Sequence, residues 1–373
     1  MIHKLKKQVM LVIVLLGIIG LPQSSYAICP NPAKLPCSCE NHPRGYCIAT
    51  GNKKFTYYKI GQSLAKYVAP DAGINLMPVE GGSIINVKKM RWQYGMKFAI
   101  LQSDVLEYYK GKAKKGDKYA TDLISPLRVI LPLYKEEVHI LVHADSDMEY
   151  FHDLKGKRVA LGSANGGSAM TGIALYNYMF SEEIPSQNVY FSSFDQALRA
   201  VAIDKTADAW IMVVGQPATR FSQLKAEAKQ YLKLLKYDDS NHQDKRILKG
   251  PYYKAMINKD SYKWLNEDVS TIAVKAFLIT QKYRSSWTKK RIKNFTRSLC
   301  KNFDILQSKG HPKWKEVKLE YSKLPGGWEY SDDVKEAFQT ADCNLQASTS
   351  HQPPIINNNR SCSMTEKILG LCQ

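Results

Sequence analysis

Four residues in one short stretch have the types and spacing to hold a negative charge: Gly162, Gly166, Gly167 and Ser168, within G-S-A-N-G-G-S at 162–168. Glycine lets a backbone turn tightly and approach a bound atom closely, and Ser168 stands where a side-chain oxygen caps a following helix. Val159-Ala160-Leu161 ahead of the turn reads as a buried strand, and Met170, Ile173, Ala174 and Tyr178 behind it fall at helical spacing. A strand, a glycine turn and a helix start, in that order, bring unpaired N–H groups and the positive end of a helix dipole to one point. That point suits a carboxylate or phosphate. The stretch lacks the lysine of G-x-x-x-x-G-K-[ST] and the spacing of G-x-G-x-x-G, and neither Ser163 nor Ser168 sits in a G-x-S-x-G frame. ATP, NAD and an acyl-enzyme nucleophile are therefore not implied. An ordinary tight strand-to-helix turn is the alternative reading.

The ends of the chain bear on where such a site would work. Lys4, Lys6 and Lys7 precede the apolar run 9–21, and Ser25 and Ala27 supply the small residues of a cleavage site, the pattern of a secretory signal peptide over 1–27. The apolar run is short for a membrane span. Bulky Ile28 immediately before Cys29 argues against lipid attachment there. Export to the periplasm is expected. Eight cysteines stand at the two ends, Cys29, Cys37, Cys39 and Cys47 in front and Cys300, Cys343, Cys362 and Cys372 behind. An even count in an oxidising compartment predicts disulfides, within each terminal segment or between the two. Cys37-x-Cys39 lacks the C-x-x-C pairs of a zinc ribbon, so neither metal nor other cofactor is expected.

The formal net charge is +19, and loss of three signal-peptide lysines leaves +16. Such basicity points to anionic solutes, an anionic membrane surface or nucleic acid. The lysines are scattered, at 53–54, 88–89, 112–118 and 289–290, with no stripe of interleaved aromatics, so nucleic acid is not expected.

The elements that must position these residues alternate in kind. Strands are expected at 47–50, 75–79, 98–101, 129–133, 138–142, 155–161, 187–191 and 209–214, and helices at 57–68, 84–91 and 194–203. Residues 269–280 read as a strand or the start of a helix, 289–304 and 331–341 as helices, and 346–360 as irregular. Strands separated by helices imply parallel sheets. The 346 residues after cleavage exceed one core and imply two compact units. His139 and His143 share a strand face and could ligate a metal from it, with packed or solvated histidines as the plainer reading in the absence of a third ligand.

Several motifs, taken in order, resemble the TAXI family of periplasmic solute receptors, which serve one class of TRAP transporter. Ala49-Thr50-Gly51 with Tyr57-Tyr58-x-Ile60-Gly61 is similar to the family's A-T-G…Y-Y-x-I-G, and Val79-Glu80-Gly81-Gly82-Ser83 to its E-G-S segment. Gln102-Ser103-Asp104 is similar to its Q-x-D strand end, and Leu133-Tyr134-Lys135-Glu136-Glu137-Val138-His139 to its L-Y-P-E-x-V-H hinge. Residues 153–159 resemble D-L-K-G-K-x-V, and Gly215-Gln216-Pro217 resembles G-x-P. The similarity covers about 48–285. The chain departs from the pattern at Ala169-Met170, where the family carries a glycine and a hydroxyl, at Lys135 in place of proline, and at an extra glycine near Gly81.

The resemblance implies a two-lobed α/β periplasmic-binding-protein fold of type II kind with a cleft between the lobes. It implies a first lobe at 48–142, a second at 143–265 and a return to the first at 266–345, flanked by the cysteine-rich segment 28–47 and the tail 346–373. The expected function is capture of one small organic anion, an amino acid or dicarboxylate, by a monomer that delivers it to TRAP-type permease subunits, with no bond broken. The strand-end loops would converge on the cleft: Thr50, Gly51, Tyr57 and Tyr58; Gly82 and Ser83; Gln102, Ser103 and Asp104; Tyr134; Ser163, Asn165, Gly166, Gly167, Ser168 and Ala169; Gly215 and Gln216. N–H groups at 166–169 would take a carboxylate, Gln102 and Asp104 would orient a hydroxyl or amino group, and Tyr57 and Tyr58 would form a wall. The plainer alternatives are a helix cap at Asp104, core packing for the tyrosines and backbone satisfaction by Gln102. Two other classes remain in view: a hydrolase pairing Ser168 with His139 or His143, and an exported surface or signalling module on the same fold.

Overall fold

In the computed structural model, residues 45–321, 323–339 and 343 are described. The expected signal peptide, Cys29, Cys37, Cys39, Cys362, Cys372 and the tail at 346–373 lie outside them. Among the described residues ten strands follow in chain order: β1 Gly45–Ala49, β2 Asn75–Val79, β3 Met96–Gln102, β4 Leu127–His143, β5 Val159–Ala160, β6 Val189–Tyr190, β7 Ala209–Val214, β8 Leu232–Leu234, β9 Tyr252–Ile257 and β10 Val269–Gln281. Eleven α-helices accompany them: α1 Thr56–Tyr67, α2 Ser83–Trp92, α3 Ser103–Lys114, α4 Lys118–Ile124, α5 Gly167–Phe180, α6 Phe194–Ala202, α7 Thr219–Ser222, α8 His242–Arg246, α9 Ser286–Lys301, α10 Phe303–Lys309 and α11 Asp332–Phe338.

One hydrogen-bonded sheet runs β2-β1-β3-β10-β4-β7-β5-β6, with β8 on β4 and β9 on β10. Its two ends repeat one plan. β2-β1-β3 and β6-β5-β7 are each a parallel triple, with α1 and α2 or α5 and α6 as the crossovers. The long strands β4 and β10 run antiparallel between the triples and belong to both. β10 pairs with β9 as far as Val274 and with β3 from Ala276, while β4 takes up β7 at Glu137. Strand partners therefore change inside these strands, at Lys135–Glu137 and Val274–Ala276.

Separate cores fill the two lobes. The first gathers Ile48, Ile60, Leu64, Phe98, Ile100, Phe295 and Leu299. The second places Val138, Ile140, Leu175, Met179 and Ile211 on one face of its sheet and Leu141, Val201, Trp210, Phe221 and Trp264 on the other. The alternation along β4 thus sends its odd and even residues to opposite layers, as a pleated strand must. Local signals fix the helix starts: Ser193 and Gln196 form a capping box on α6, and Ser285 accepts the Thr288 N–H ahead of α9. α9 then buries Ile292, Phe295 and Leu299 at helical spacing.

The structure corrects several expectations. Residues 129–133 and 138–142 are one 17-residue strand, because the intervening Glu136 and Glu137 are buried and stay in the ladder. β5 and β6 are only two residues each, the rest of 155–161 and 187–191 being turn, irregular backbone and the end of a 3-10 helix at Ser186–Asn188. Residues 289–304 divide into α9 and α10 at Asn302. Two helices, α3 and α4, occupy the lysine-rich stretch after β3. Cys300 pairs with Cys343, Cα atoms 4.9 Å apart, and Cys47 is also disulfide-bonded. No helix among the described residues is long and apolar enough to cross a membrane.

Candidate functional site

Parallel strands in both lobes end at one cavity of about 440 Å³. From the first lobe come Gly51, Asn52 and Tyr57 after β1, Gly82 and Ser83 after β2, and Gln102 at the end of β3. From the second come Ser163, Gly166, Gly167 and Ser168 after β5, Ser192 and Ser193 after β6, Val214 at the end of β7 and Arg220 beyond it. Trp210, Met212, Phe194 and Phe55 supply apolar wall.

The glycine turn does start a helix at the cavity. α5 has extended Gly166 at its N-cap and no side-chain cap hydrogen bond, so its first-turn N–H groups have no side-chain partner. Ser168 is not the cap: its Oγ accepts the Val213 N–H at 3.0 Å and lies 3.7 Å from Met212 Sδ, tying α5 to β7. The lobes touch here. A Cβ on Gly82 would come within 2.9 Å of the Asn165 carbonyl oxygen, and a Cβ on Gly167 within 1.3 Å of Gln102 Oε1. Glycine at both positions is thus what permits the close approach.

A polar track runs from this contact along the first lobe. Ser83 Oγ accepts the Gln102 N–H at 3.3 Å, and Tyr57 OH donates to Glu136 Oε2 at 2.6 Å. Buried Asn86 donates to the carbonyls of Thr50 (2.7 Å) and Ile100 (3.0 Å), holding the strand ends together. Glu136 lines the cavity, and burial raises its pKa to about 8, with Glu137 adding to the shift and Tyr57 and Lys313 opposing it. Glu137 accepts the Gln216 N–H at 2.7 Å and lies 3.8 Å from Lys313 Nζ, yet burial still raises its pKa. Arg220 pairs with Asp195 and lies 4.5 Å from the centre of the Phe194 ring.

Not every expected residue reaches the cavity. Gly51, Tyr57, Gly82, Ser83, Gln102, Ser163, Gly166, Gly167 and Ser168 line it. Thr50 is buried and donates to the Val79 carbonyl at 2.8 Å. Tyr58 is half-buried on α1 away from the lining, Tyr134 is buried beneath Lys313, and Ala169 is buried in α5. Asn165 backs onto Gly82. Gly215 packs on Lys313, and the Gln216 side chain bonds Met256, Asn258 and Ser261 within the second lobe. Ser103 and Asp104 face a separate groove beside α3 and α5. There Asp104 Oδ2 accepts from Thr171 Oγ1 (2.5 Å) and Tyr252 OH (3.1 Å), both of the second lobe, and burial raises its pKa to about 6.

The hydrolase arrangement is not assembled. His139 is fully buried, its Nδ1–H donating to the Glu137 carbonyl at 3.0 Å and its Nε2 accepting from Tyr262 OH at 2.9 Å. Burial lowers its pKa to about 4, and Ser168 is engaged with Val213. Among lining residues absent from the sequence-based set, Ser192 and Ser193 follow the expected strand 187–191 and were findable by the strand-end rule. Glu136, Trp210 and Arg220 carried no such signal.

Fold and site together define a two-lobed α/β protein with a cavity of solute size where the lobes meet. The signature of the NMT1-like family matches residues 48–326, and the chain belongs to that family. Among solved structures it is similar to the arginine-, lysine-, histidine-binding protein ArtJ of Geobacillus stearothermophilus, at 12% identity and TM-score 0.41 over 71% of this chain and 94% of that one. It is also similar to a binding-protein component of a phosphonate ABC transporter from Pseudomonas aeruginosa, at 12% and 0.43 over 67% and 73%. A histidine kinase sensor domain with similarity to periplasmic binding proteins matches at 12% and 0.43 over 74% and 97%.

Proposed function

We propose that this protein is an extracytoplasmic solute receptor that closes its two lobes on one small organic anion, of the amino-acid or dicarboxylate class, and passes it to a membrane permease. The observation that carries this reading is the uncapped start of α5, which opens on the cleft where Gln102 and Ser83 of the opposite lobe meet it. A helix N-terminus favours negative charge, and contact between lobes at that point makes closure and anion capture one event. The TAXI-like motifs at Thr50, Gln102 and Gly215 favour a TRAP-type permease as the recipient, and the signal-peptide pattern at 1–27 favours the periplasm as the place. The receptor acts as a monomer and carries out no chemistry on its solute.

Calorimetry and small-angle scattering on the mature protein with a panel of organic acids and amino acids test the reading. One compound should bind at a ratio of one and shrink the particle. At a hundred times its Kd it should stabilise the fold by about 2.7 kcal/mol. A panel that leaves both stability and scattering unchanged refutes it.

A further inference from the structure

Resting on that receptor reading, the cleft also bears on which anions it accepts. An α-amino acid brings an ammonium group, which in a buried site needs an ionised carboxylate beside it. Three carboxyls come near this cleft. Asp104 is turned out of it, both oxygens engaged by Thr171, Tyr252 and the Val105 N–H. Asp195 lines it but is paired with Arg220. Glu136 lines it while only 4% exposed, and one oxygen is taken by Tyr57.

The groups facing Glu136 favour a proton on it. Tyr57 comes from α1, Tyr134 and Glu137 from β4, Asp104 from α3, and Lys313 from the turn at 312–316. The two carboxyls oppose its ionisation, and Lys313, the one cation among these groups, sits 3.8 Å from Glu137 and 2.7 Å from Glu316. The raised pKa of Glu136 agrees. Donors without a partner also line the cleft. The first turn of α5 is uncapped, and Trp210 Nε1, a donor only, is fully buried without a partner. The unpartnered acceptors in the lining, Gln102 Oε1 and the Ser192 hydroxyl, are neutral and suit a hydroxyl as well as an amine.

We propose that the cleft selects organic anions without an ammonium group, hydroxy acids or plain dicarboxylates, with Glu136 as a hydrogen-bond donor to the solute and Gln102 as the acceptor for a solute hydroxyl. Titration calorimetry at pH 7 with matched probes tests it: L-malate and succinate against L-aspartate, and glutarate against L-glutamate. A non-aminated acid should bind at least tenfold tighter than its aminated counterpart. An amino acid that binds as tightly or more tightly overturns this inference and leaves the receptor reading intact, whereas no binding by any probe overturns both. The pH profile isolates Glu136. Affinity for the tightest non-aminated probe should fall above pH 8, approaching tenfold per pH unit, and Glu136→Gln should flatten that profile. A flat wild-type profile, or a slope retained in the variant, overturns the role of Glu136.

Discussion

A single methyl group at Gly167 should act as a wedge between the lobes. The Cβ of Gly167→Ala would sit 1.3 Å from Gln102 Oε1 and 3.0 Å from Ser83 Oγ, both across the cleft. Gly167 has no positive φ, so the helix itself accepts alanine, and a Gly-to-Ala change in a helix is neutral or stabilising by up to ~1 kcal/mol. The cost falls only on closure. Swinging the Gln102 amide aside costs ~0.5–1.5 kcal/mol of rotamer strain, and loss of its hydrogen bond to a solute costs ~0.5–1.5 kcal/mol more. Together these weaken binding by ~1–3 kcal/mol, roughly five- to 150-fold in Kd. Gly167→Asp should be worse, because it also places a carboxylate where the anion sits. The assay is calorimetry with the solute found by screening, beside a melt of the solute-free variant. Wild-type affinity in Gly167→Ala would refute the closure contact. A lowered solute-free melting temperature would show that the glycine is needed by the turn and not by the cleft.

The buried polar groups make further predictions. Asp104 has a folded-state pKa raised to about 6. Its stabilisation is therefore complete below the ordinary value of 3.8 and is lost as pH rises through 6, by ~3 kcal/mol at ~1.4 kcal/mol per pH unit; the melting temperature of wild type should fall relative to Asp104→Asn between pH 4 and 6. Tyr262→Phe strips partners from His139 Nε2 and the Ala218 N–H; chemical denaturation should show a loss of ~1–3 kcal/mol with solute affinity unchanged, since the site lies within the second lobe's core. Replacing Cys300 and Cys343 together with serine releases a 43-residue link, and the chain-entropy relation gives a loss of about 4 kcal/mol, again without an effect on the cleft. Equal stability of the double variant and wild type in denaturant would show that the link contributes nothing.

Local pattern and global fold agree wherever one element carries its own signal. β2 and β7 have the expected bounds, because β-branched and apolar runs between turn residues leave little choice. The anion turn was legible for the same reason: glycines before an amphipathic run announce a helix start. Where sequence reading failed, the missing information was non-local. Lys135-Glu136-Glu137 interrupts an apolar run and reads as a break, but the sheet continues because Tyr57, Gln216 and Lys313 arrive from distant parts of the chain to partner the carboxyls. Asp104 has the right type and place for a ligand contact, and only the packing of α3 on α5 turns it toward Thr171.

The amino-acid sequence by itself determined the alternating elements and the existence of a helix start suited to an anion, because each follows from periodicity and turn chemistry within a few residues, while the two-lobed plan was legible only through the family resemblance and the chain length. Tertiary structure alone decided which residues face the cleft and which carboxyls are buried with which partners. Those properties depend on burial and on partners 79 positions apart in the case of Tyr57 and Glu136, and no local pattern encodes them.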